Sequence, residues 1–210
     1  MTDRIAFYHN PMSRGRMVHW MLEEVGAPYD VHLIDFNKGA HKAPAFTAIN
    51  PMGKLPTIVH KGVTITEVGA IIAYLADEFP KAGLAPAIHD AKRGAYLRWM
   101  FFGAGCIDQA LIDKMFSRPP PERPMALGYG NFADTMNTVT GAISKSPYLL
   151  GDAFTAADLF IAAQLGWGMM MKAVEPTPEI GAYVKRCTGR PAMARVMAQG
   201  EEMTKTLAAA

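Results

Sequence analysis

The chain begins with short runs of strand periodicity that alternate with longer runs of helical periodicity. Residues 4–9 form an apolar run and residues 29–35 alternate between apolar and polar positions, so each predicts a β-strand. The segment between them, residues 13–26, predicts a helix that Ser13 can cap and Gly26 can end. Its apolar positions lie on one helix face: Met17, Val18, Met21, Leu22 and Val25.

The same alternation continues to residue 79. Residues 42–49 predict a short helix, residues 56–66 predict two strands joined by a turn at Lys61-Gly62, and residues 67–79 predict another helix. The order is therefore β-α-β-α-β-β-α. A crossover helix joins the first two strands, so they pair in parallel, whereas the last two form an antiparallel hairpin. We expect a small mixed sheet covered by helices, which is an α/β fold.

The rest of the chain carries only helical patterns. Residues 80–86 are rich in proline, glycine and alanine and are the best candidate for a linker between domains. The sequence thus predicts an α/β domain over residues 1–79 and an all-helical domain over residues 87–210. A proline-rich loop is expected at residues 118–124. The predicted helices of the second domain cover residues 90–116, 125–145, 155–171, 177–189 and 190–203.

The apolar helix that begins at Thr155 carries a strong start signal. Asp158 follows three residues later. The Thr155 hydroxyl can therefore accept from the backbone N–H of Asp158, and the Asp158 carboxylate can accept from the backbone N–H of Thr155, as in a capping box. Phe154 and Leu159 stand where a hydrophobic staple requires apolar side chains. We interpret this signal as structural.

Composition narrows the possible functions. The 210 residues are 50% hydrophobic and 19% charged with a net charge of +2, which is ordinary for a globular protein and gives no sign of a nucleic-acid partner. Apolar runs stay well below the roughly 18 residues that span a membrane, and the first twenty residues lack a signal-peptide pattern, so we expect a cytoplasmic protein without membrane contact. Cys106 and Cys187 lie far apart without a CxxC motif, so neither a thioredoxin-type redox pair nor a metal site is expected.

Three separated motifs resemble one enzyme family. They are YHNPMSRGRMVHWMLEEVG near the start, NPMGKLPTI followed by TEVGAIIAYLAD, and YLLGDAFTAADLFIAAQLGWG in the second half. Together they resemble the cytosolic glutathione S-transferases, in particular bacterial members of the serine type. The resemblance implies a thioredoxin-like N-terminal domain, a helical C-terminal domain and a homodimer. It also implies that Pro56 is cis and that Leu55 pairs antiparallel with the cysteinyl backbone of glutathione.

The resemblance assigns Glu67 and Val68 to the γ-glutamyl end of glutathione. A carboxylate at the start of a helix is favoured by the helix dipole and can pair with the ligand ammonium, while the helix N–H groups suit the ligand carboxylate. Family members usually carry serine after this acid, where this chain has Val68. One side-chain donor to the ligand carboxylate is therefore missing.

The thiol end requires a group that stabilises the thiolate, because a free thiol is mostly protonated at neutral pH. Ser13 lies where serine-type members carry their serine, at the start of the first helix. A hydroxyl donor and helix N–H groups there favour the anion. Arg14 or Arg16 can add positive charge. Arg14 or a backbone N–H is the alternative activating group, and Tyr8 is the tyrosine-type alternative.

The remaining contacts are predicted from position alone. His41, Lys42 and Lys54 are candidates for the glycyl carboxylate, although each can equally be a solvated surface group. An apolar second substrate is expected between the domains. Its candidate lining residues, each of which can equally belong to the core, are Met12, Trp99, Phe102, Met115 and Phe116, with Trp167 and Met170 as further options.

The resemblance therefore implies an enzyme that uses glutathione as co-substrate. We expect conjugation of the glutathione thiolate to an apolar electrophile. Glutathione-dependent peroxide reduction, ether cleavage and dehalogenation are variants within the same class. A transferase-like module that binds glutathione or a partner with little turnover is the alternative from a different class. Val68 and the open choice of thiol-activating group are the features that favour it.

Overall fold

The structure, a computed structural model, describes residues 4–119 and 122–209. Its strands are β1 (Ile5–His9), β2 (Tyr29–Leu33), β3 (Thr57–His60) and β4 (Val63–Thr66). They form one sheet in the order β2-β1-β3-β4, in which β1 runs parallel to β2 and antiparallel to β3, and β4 runs antiparallel to β3. The predicted α/β architecture is confirmed.

The α-helices begin and end close to the positions that the sequence predicts in the first domain, and less closely beyond it. They are α1 (Gly15–Val25), α2 (Pro44–Thr47), α3 (Val68–Glu78), α4 (Arg93–Phe102), α5 (Asp108–Met115), α6 (Phe132–Ile143), α7 (Ala156–Met170), α8 (Pro178–Thr188) and α9 (Pro191–Ala209). Among the described residues, no helix is both long and apolar enough to cross a membrane.

The chain divides into two compact units. The first contains the sheet up to Ala82 and the C-terminal segment from Arg190 onward, and the second contains the helices from Gly83 to Gly189. Helix α9 packs against α1, so packing groups it with the sheet. The domain boundaries inferred from the sequence, 1–79 and 87–210, follow chain order instead and stay a prediction.

The first unit is organised around β1. Ile5, Phe7 and His9 are buried on one face of this strand, and Tyr8 points to the other face, where its ring lies 5.7 Å from that of Phe46 in α2. The apolar residues predicted to form the buried face of α1, Met17, Val18, Met21 and Leu22, are all buried. Burial also extends to the residues between them, because α1 packs against both α3 and α9.

Two local predictions are confirmed in detail. Lys61 and Gly62 both have positive φ, 52° and 74°, which is the conformation of the two-residue turns that favour hairpins. Thr155 and Asp158 form the predicted capping box of α7. The buried Asp158 carboxylate accepts from the N–H of Thr155 at 2.9 Å and from its hydroxyl at 2.8 Å.

The prediction of one regular helix over residues 90–116 is wrong. α4 ends at Phe102, and residues 103–107 form a π-helical turn before α5. A side chain distant in sequence explains the turn. Gln164 of α7 donates from Nε2 to the Gly103 carbonyl at 2.9 Å, and a Cβ on Gly103 would lie 2.8 Å from the Phe160 ring. Gly103 thus allows α7 to approach closely and the Gly103 carbonyl to bond outside the helix.

The predicted helix over residues 125–145 begins later than expected. Gly130 has a φ of 71°, and α6 starts only after Asn131, whose side chain accepts from the Asp134 N–H at 2.9 Å. An asparagine N-cap fixes the helix start there. Pro120 and Pro121 of the predicted loop lie outside the described residues.

Candidate active site

Strand pairing brings three chain segments to one end of the sheet. Tyr8 near the end of β1 pairs with Thr57, and Thr57 pairs with Thr66 at the end of β4. Pro56 directly precedes Thr57, and Glu67 directly follows Thr66. Since α1 follows β1 on this side, both residues share one end of the sheet with the start of α1.

A buried asparagine fixes the loop that leads into β3. Asn50 is 3% exposed, and its Nδ2 donates to the Lys54 carbonyl at 2.9 Å and to Thr57 Oγ1 at 3.0 Å. The Leu55–Pro56 bond in this loop is cis, as the resemblance implies. Within residues 4–119 and 122–209, the backbone N–H and C=O of Leu55 make no hydrogen bond. They are available to an extended peptide alongside.

Glu67 stands directly before α3, as predicted, in a backbone conformation that non-glycine residues rarely adopt. Its φ is 64° and its ψ is 121°, which costs of order 1–3 kcal/mol. The exposed carboxylate does not cap α3, and it makes no hydrogen bond or ion pair with a described residue. The first N–H groups of α3, beginning with that of half-buried Val68, lie next to it. The fold therefore holds a free carboxylate beside helix donors.

The tripeptide Asn-Pro-Met occurs twice at this end of the sheet and forms the same turn each time. Asn10 Oδ1 accepts from the Met12 N–H at 2.9 Å, and Asn50 Oδ1 accepts from the Met52 N–H at 3.1 Å. Both asparagines are buried. Neither asparagine was assigned a role from the sequence. The repeated Asn-Pro-Met tripeptide was the sequence pattern that could have identified these two asparagines, because an asparagine before proline favours a turn closed by its own side chain.

The predicted residue Ser13 lies at the start of α1 with its hydroxyl engaged. The sequence placed Ser13 at the N-cap, whereas Arg14 occupies that position and α1 begins at Gly15. Ser13 Oγ accepts from the Gly15 N–H at 3.0 Å and donates to the Asn10 carbonyl at 2.7 Å. A hydroxyl has one proton, so donation to a thiolate requires that it rotate away from Asn10.

The alternative thiol-activating groups differ in their surroundings. Arg14 and Arg16 are half-buried beside Ser13 in sequence, and Arg16 donates from Nη2 to the Pro11 carbonyl at 3.1 Å. The ring of Tyr8 is half-buried and stacked on His32, with 4.8 Å between ring centroids. The arginines therefore lie on the α1 side of the site, and Tyr8 faces away from α1.

His9 ends β1 beside this site and was given no role by the sequence. It is 1% exposed, and its ring stacks on Phe7 with 4.7 Å between centroids. Burial, the nearby His19 and the positive charge of Arg16 together lower the pKa of His9 to about 3. The imidazole is therefore neutral at physiological pH.

The candidates for the glycyl carboxylate adjoin the loop before β3. Lys42 Nζ donates to the Met52 carbonyl at 2.9 Å, and a Cβ on Gly53 would lie 2.5 Å from the His41 carbonyl. The structure thus brings residues 41 and 42 next to the loop that carries Lys54, whose side chain is exposed. Their contacts with a ligand stay a prediction.

The residues predicted to line a second-substrate pocket differ in exposure. Met12 and Phe116 are 76% and 67% exposed, whereas Trp99 is 4% exposed and belongs to the core of the second unit. Phe102 and Met115 are half-buried. A cavity of about 510 Å³ in the second unit is lined by other residues of α5 and of the segment before α6. The predicted pocket stays a prediction.

Comparison with known proteins identifies both halves of the chain. Residues 4–77 match the family described as glutathione S-transferase, N-terminal domain, and residues 133–191 match glutathione S-transferase, C-terminal domain. GstA of Escherichia coli O157:H7 is 24% identical over 89% of this chain and 94% of its own length. The probable transferase GSTF2 of Oryza sativa is 28% identical over 84% of this chain and 87% of its own. The protein URE2 of Candida glabrata is 26% identical over 94% of this chain and 68% of its own.

Solved structures agree with this assignment. A glutathione transferase homologue from Sulfitobacter, determined with bound glutathione, has a TM-score of 0.77 and 26% identity, and covers 95% of this chain and 99% of its own. A glutathione transferase from Methylococcus capsulatus has the same TM-score and the same identity, and it covers 94% of this chain and 98% of its own. The two matched domains and the thioredoxin-like sheet with its helical second unit show that the chain belongs to the glutathione S-transferase family.

Proposed function

We propose that this protein is a glutathione transferase that adds the glutathione thiolate to an apolar electrophile. Family membership supports glutathione as the co-substrate, and the Sulfitobacter homologue was determined with glutathione bound. The observation in this chain that carries the proposal is Glu67. Its strained backbone presents a carboxylate with no protein partner among the described residues, at the sheet end where the Leu55 backbone is also free. Strain of this kind is maintained where a ligand uses it.

Glutathione fits this end of the sheet in one direction. Its ammonium pairs with Glu67, and its γ-glutamyl carboxylate accepts from the first N–H groups of α3. The cysteinyl backbone pairs antiparallel with Leu55. The glycyl carboxylate lies toward Lys42 and Lys54, with His41 beside them. This direction places the thiol near the start of α1.

Catalysis then needs a stabilised thiolate and an oriented acceptor. The N–H groups at the start of α1 and the Ser13 hydroxyl supply donors toward the sulfur, and Arg14 or Arg16 supplies positive charge. The thiol proton leaves to solvent first. The thiolate then attacks the electrophilic carbon and forms a C–S bond, while the bond between that carbon and its leaving group breaks and the leaving group, such as a halide, departs with the electron pair. Holding both reactants together supplies the orientation.

A calorimetric titration with reduced glutathione tests the site. We expect a Kd between about 1 μM and a few mM. Glu67→Gln keeps the shape of the side chain and removes its charge, so it should weaken binding by roughly 10- to 150-fold, which corresponds to the ~1.5–3 kcal/mol of a charged hydrogen bond. Glu201→Gln is the matched control, because Glu201 is exposed on α9. Absent binding by the wild type, or equal binding by Glu67→Gln, would refute the proposed site.

A glutathione-binding protein with little turnover is the second candidate. Two observations favour it: Val68 replaces a hydroxyl donor, and the Ser13 hydroxyl is donated to Asn10. A relative of this chain, from Saccharomyces cerevisiae, is named a transcriptional regulator. Turnover of an activated aryl halide separates the candidates. Conjugation that falls sharply in folded Ser13→Ala supports the transferase, and binding without conjugation supports the alternative. Peroxide, ether and haloalkane substrates test the other variants.

A homodimer belongs to the same proposal. Helix α4 exposes Leu97 and Phe101, the latter by 75%, four residues apart on one face. A second copy of this chain is the occupant that family membership favours. Sedimentation should give about twice 22.8 kDa for the wild type and a smaller mass for Phe101→Lys. A monomeric wild type would refute the dimer without affecting the glutathione site.

A further inference from the structure

The His9 imidazole has a buried nitrogen that the proposed mechanism does not use. Nδ1 is fully enclosed, and among the described residues it has no hydrogen-bond partner. Buried ring nitrogens are nearly always paired, so an unpaired one at the edge of a ligand site calls for a partner that appears under other conditions.

The geometry of Gly15 shows where this nitrogen points. A Cβ built on Gly15 would lie 2.3 Å from His9 Nδ1 and 2.9 Å from Ser13 Oγ. Both atoms therefore face the same side of the first residue of α1. Ser13 Oγ already accepts from the Gly15 N–H, and a hydroxyl oxygen has two lone pairs, so one acceptor position remains.

We propose that His9 is a positioning residue that acts on glutathione through Ser13. When glutathione binds, His9 donates its Nδ1–H to Ser13 Oγ, and the Ser13 hydroxyl turns from the Asn10 carbonyl to the thiolate. Two N–H donors to Oγ polarise the hydroxyl and strengthen its own donation. The inference rests on the proposed function and adds a second residue to its thiol-activating group.

The surroundings of His9 suit a neutral donor. The titratable and charged groups that act on it are His19, 5.5 Å away between ring centroids, and Arg16. Burial first, and then both of these groups, lower the pKa of His9, so the imidazole stays neutral and carries one N–H. The same properties make His9 a poor base, which is why we assign it a positioning role rather than proton abstraction.

The test measures the pKa of the bound glutathione thiol by the ultraviolet absorbance of the thiolate. Wild type, His9→Phe, Ser13→Ala and the double variant are titrated with glutathione at saturation. His9→Phe should raise the thiol pKa by about one pH unit, so that thiolate at a fixed pH below both pKa values falls roughly tenfold. In the double variant the pKa should match that of Ser13→Ala, because His9 acts through Ser13. His9→Asn, which can present an amide N–H near the Nδ1 position, should restore part of the effect.

Turnover supplies a second readout. kcat should fall roughly tenfold in His9→Phe with the KM for glutathione within about twofold of wild type, since thiol activation is lost and tripeptide contacts remain. His89→Phe is the matched control, because His89 is exposed in the second unit.

An unchanged thiol pKa in a folded His9→Phe that binds glutathione, or in His9→Ala where His9→Phe does not fold, overturns the inference and leaves the proposed function intact. If His9→Phe raises the thiol pKa by the same amount in the wild type and in Ser13→Ala, His9 does not act through Ser13. A wild type that binds no glutathione overturns both.

Discussion

Replacing Gly15 by alanine tests the contact between β1 and the start of α1. In an exposed helix the change stabilises by about 0.5–1 kcal/mol, because alanine loses less backbone entropy on folding. At Gly15 the new methyl would lie 2.3 Å from His9 Nδ1, 2.9 Å from Ser13 Oγ and 3.1 Å from His9 Cε1. His9 is enclosed and cannot swing away, so the backbone or the ring must shift.

The expected cost exceeds the gain in helix propensity. Overpacking of a tight interior costs typically ~1–3 kcal/mol, and at the upper end of that range for so short a contact. After subtraction of the propensity gain, Gly15→Ala should lower the free energy of unfolding by about 2 kcal/mol. For a chain of this length that lowers the Tm by roughly 4–8 °C. Gly141→Ala is the matched control: Gly141 is exposed within α6, a Cβ there meets nothing within 4 Å, and the change should be stabilising.

Denaturant unfolding of both variants gives the answer directly. The free energy of unfolding should fall in Gly15→Ala and rise in Gly141→Ala. In a His9→Ala background the cost of Gly15→Ala should shrink, because the two ring atoms of His9 that collide are absent and only Ser13 Oγ remains. A Gly15→Ala protein as stable as wild type would refute the close contact, and with it the direction that we assign to His9 Nδ1.

Two further predictions concern buried titratable side chains. His9 has a folded pKa of about 3, so between pH 3 and its ordinary value near 6.5 the unfolded chain binds a proton that the native state does not, and stability rises with pH. Denaturant unfolding at pH 5 and pH 6 should therefore show a steeper loss toward acid for wild type than for His9→Asn, by up to about 1.4 kcal/mol per pH unit, and parallel curves would contradict the burial argument. Arg190 pairs in bidentate fashion with Glu24, whose side chain is 6% exposed, so Arg190→Met should cost about 2–4 kcal/mol by leaving that carboxylate without its cation. Lys205→Met breaks an exposed pair and should leave the free energy of unfolding nearly unchanged, and equal losses for the two variants would show that α9 does not depend on the buried pair.

Local signals account for the parts of the fold that the sequence predicts well. The Lys61-Gly62 turn and the Thr155 start depend on residues within a few positions of one another, and both are confirmed. The π-helical turn was out of reach, because its cause is a contact between Gly103 and Gln164, which lie 61 positions apart. Single-sequence periodicity contains no information about such a contact.

The candidate site divides in the same way. Glu67 and Leu55 were identified through motifs, and the hairpin register explains why they meet. The positive φ of Glu67 was not predictable, because an acid in this place ordinarily caps the helix with a relaxed backbone. Ser13 was predicted to cap α1, whereas Arg14 is the N-cap and Ser13 lies one residue before it. The bond of Ser13 to Asn10 depends on the buried Asn-Pro-Met turn, which the sequence-based predictions did not use.

In the proposed site, affinity and thiol activation are separated along one end of the sheet. Val68 offers no hydroxyl, so we expect binding of the γ-glutamyl end to depend on the Glu67 charge and the N–H groups of α3. We expect activation of the thiol to depend on the start of α1, with Ser13 and, by our inference, His9. Strands β1, β3 and β4 hold the two ends in a fixed register. Changes at Glu67 should therefore alter glutathione affinity with little effect on thiol ionisation, and changes at His9 should do the reverse.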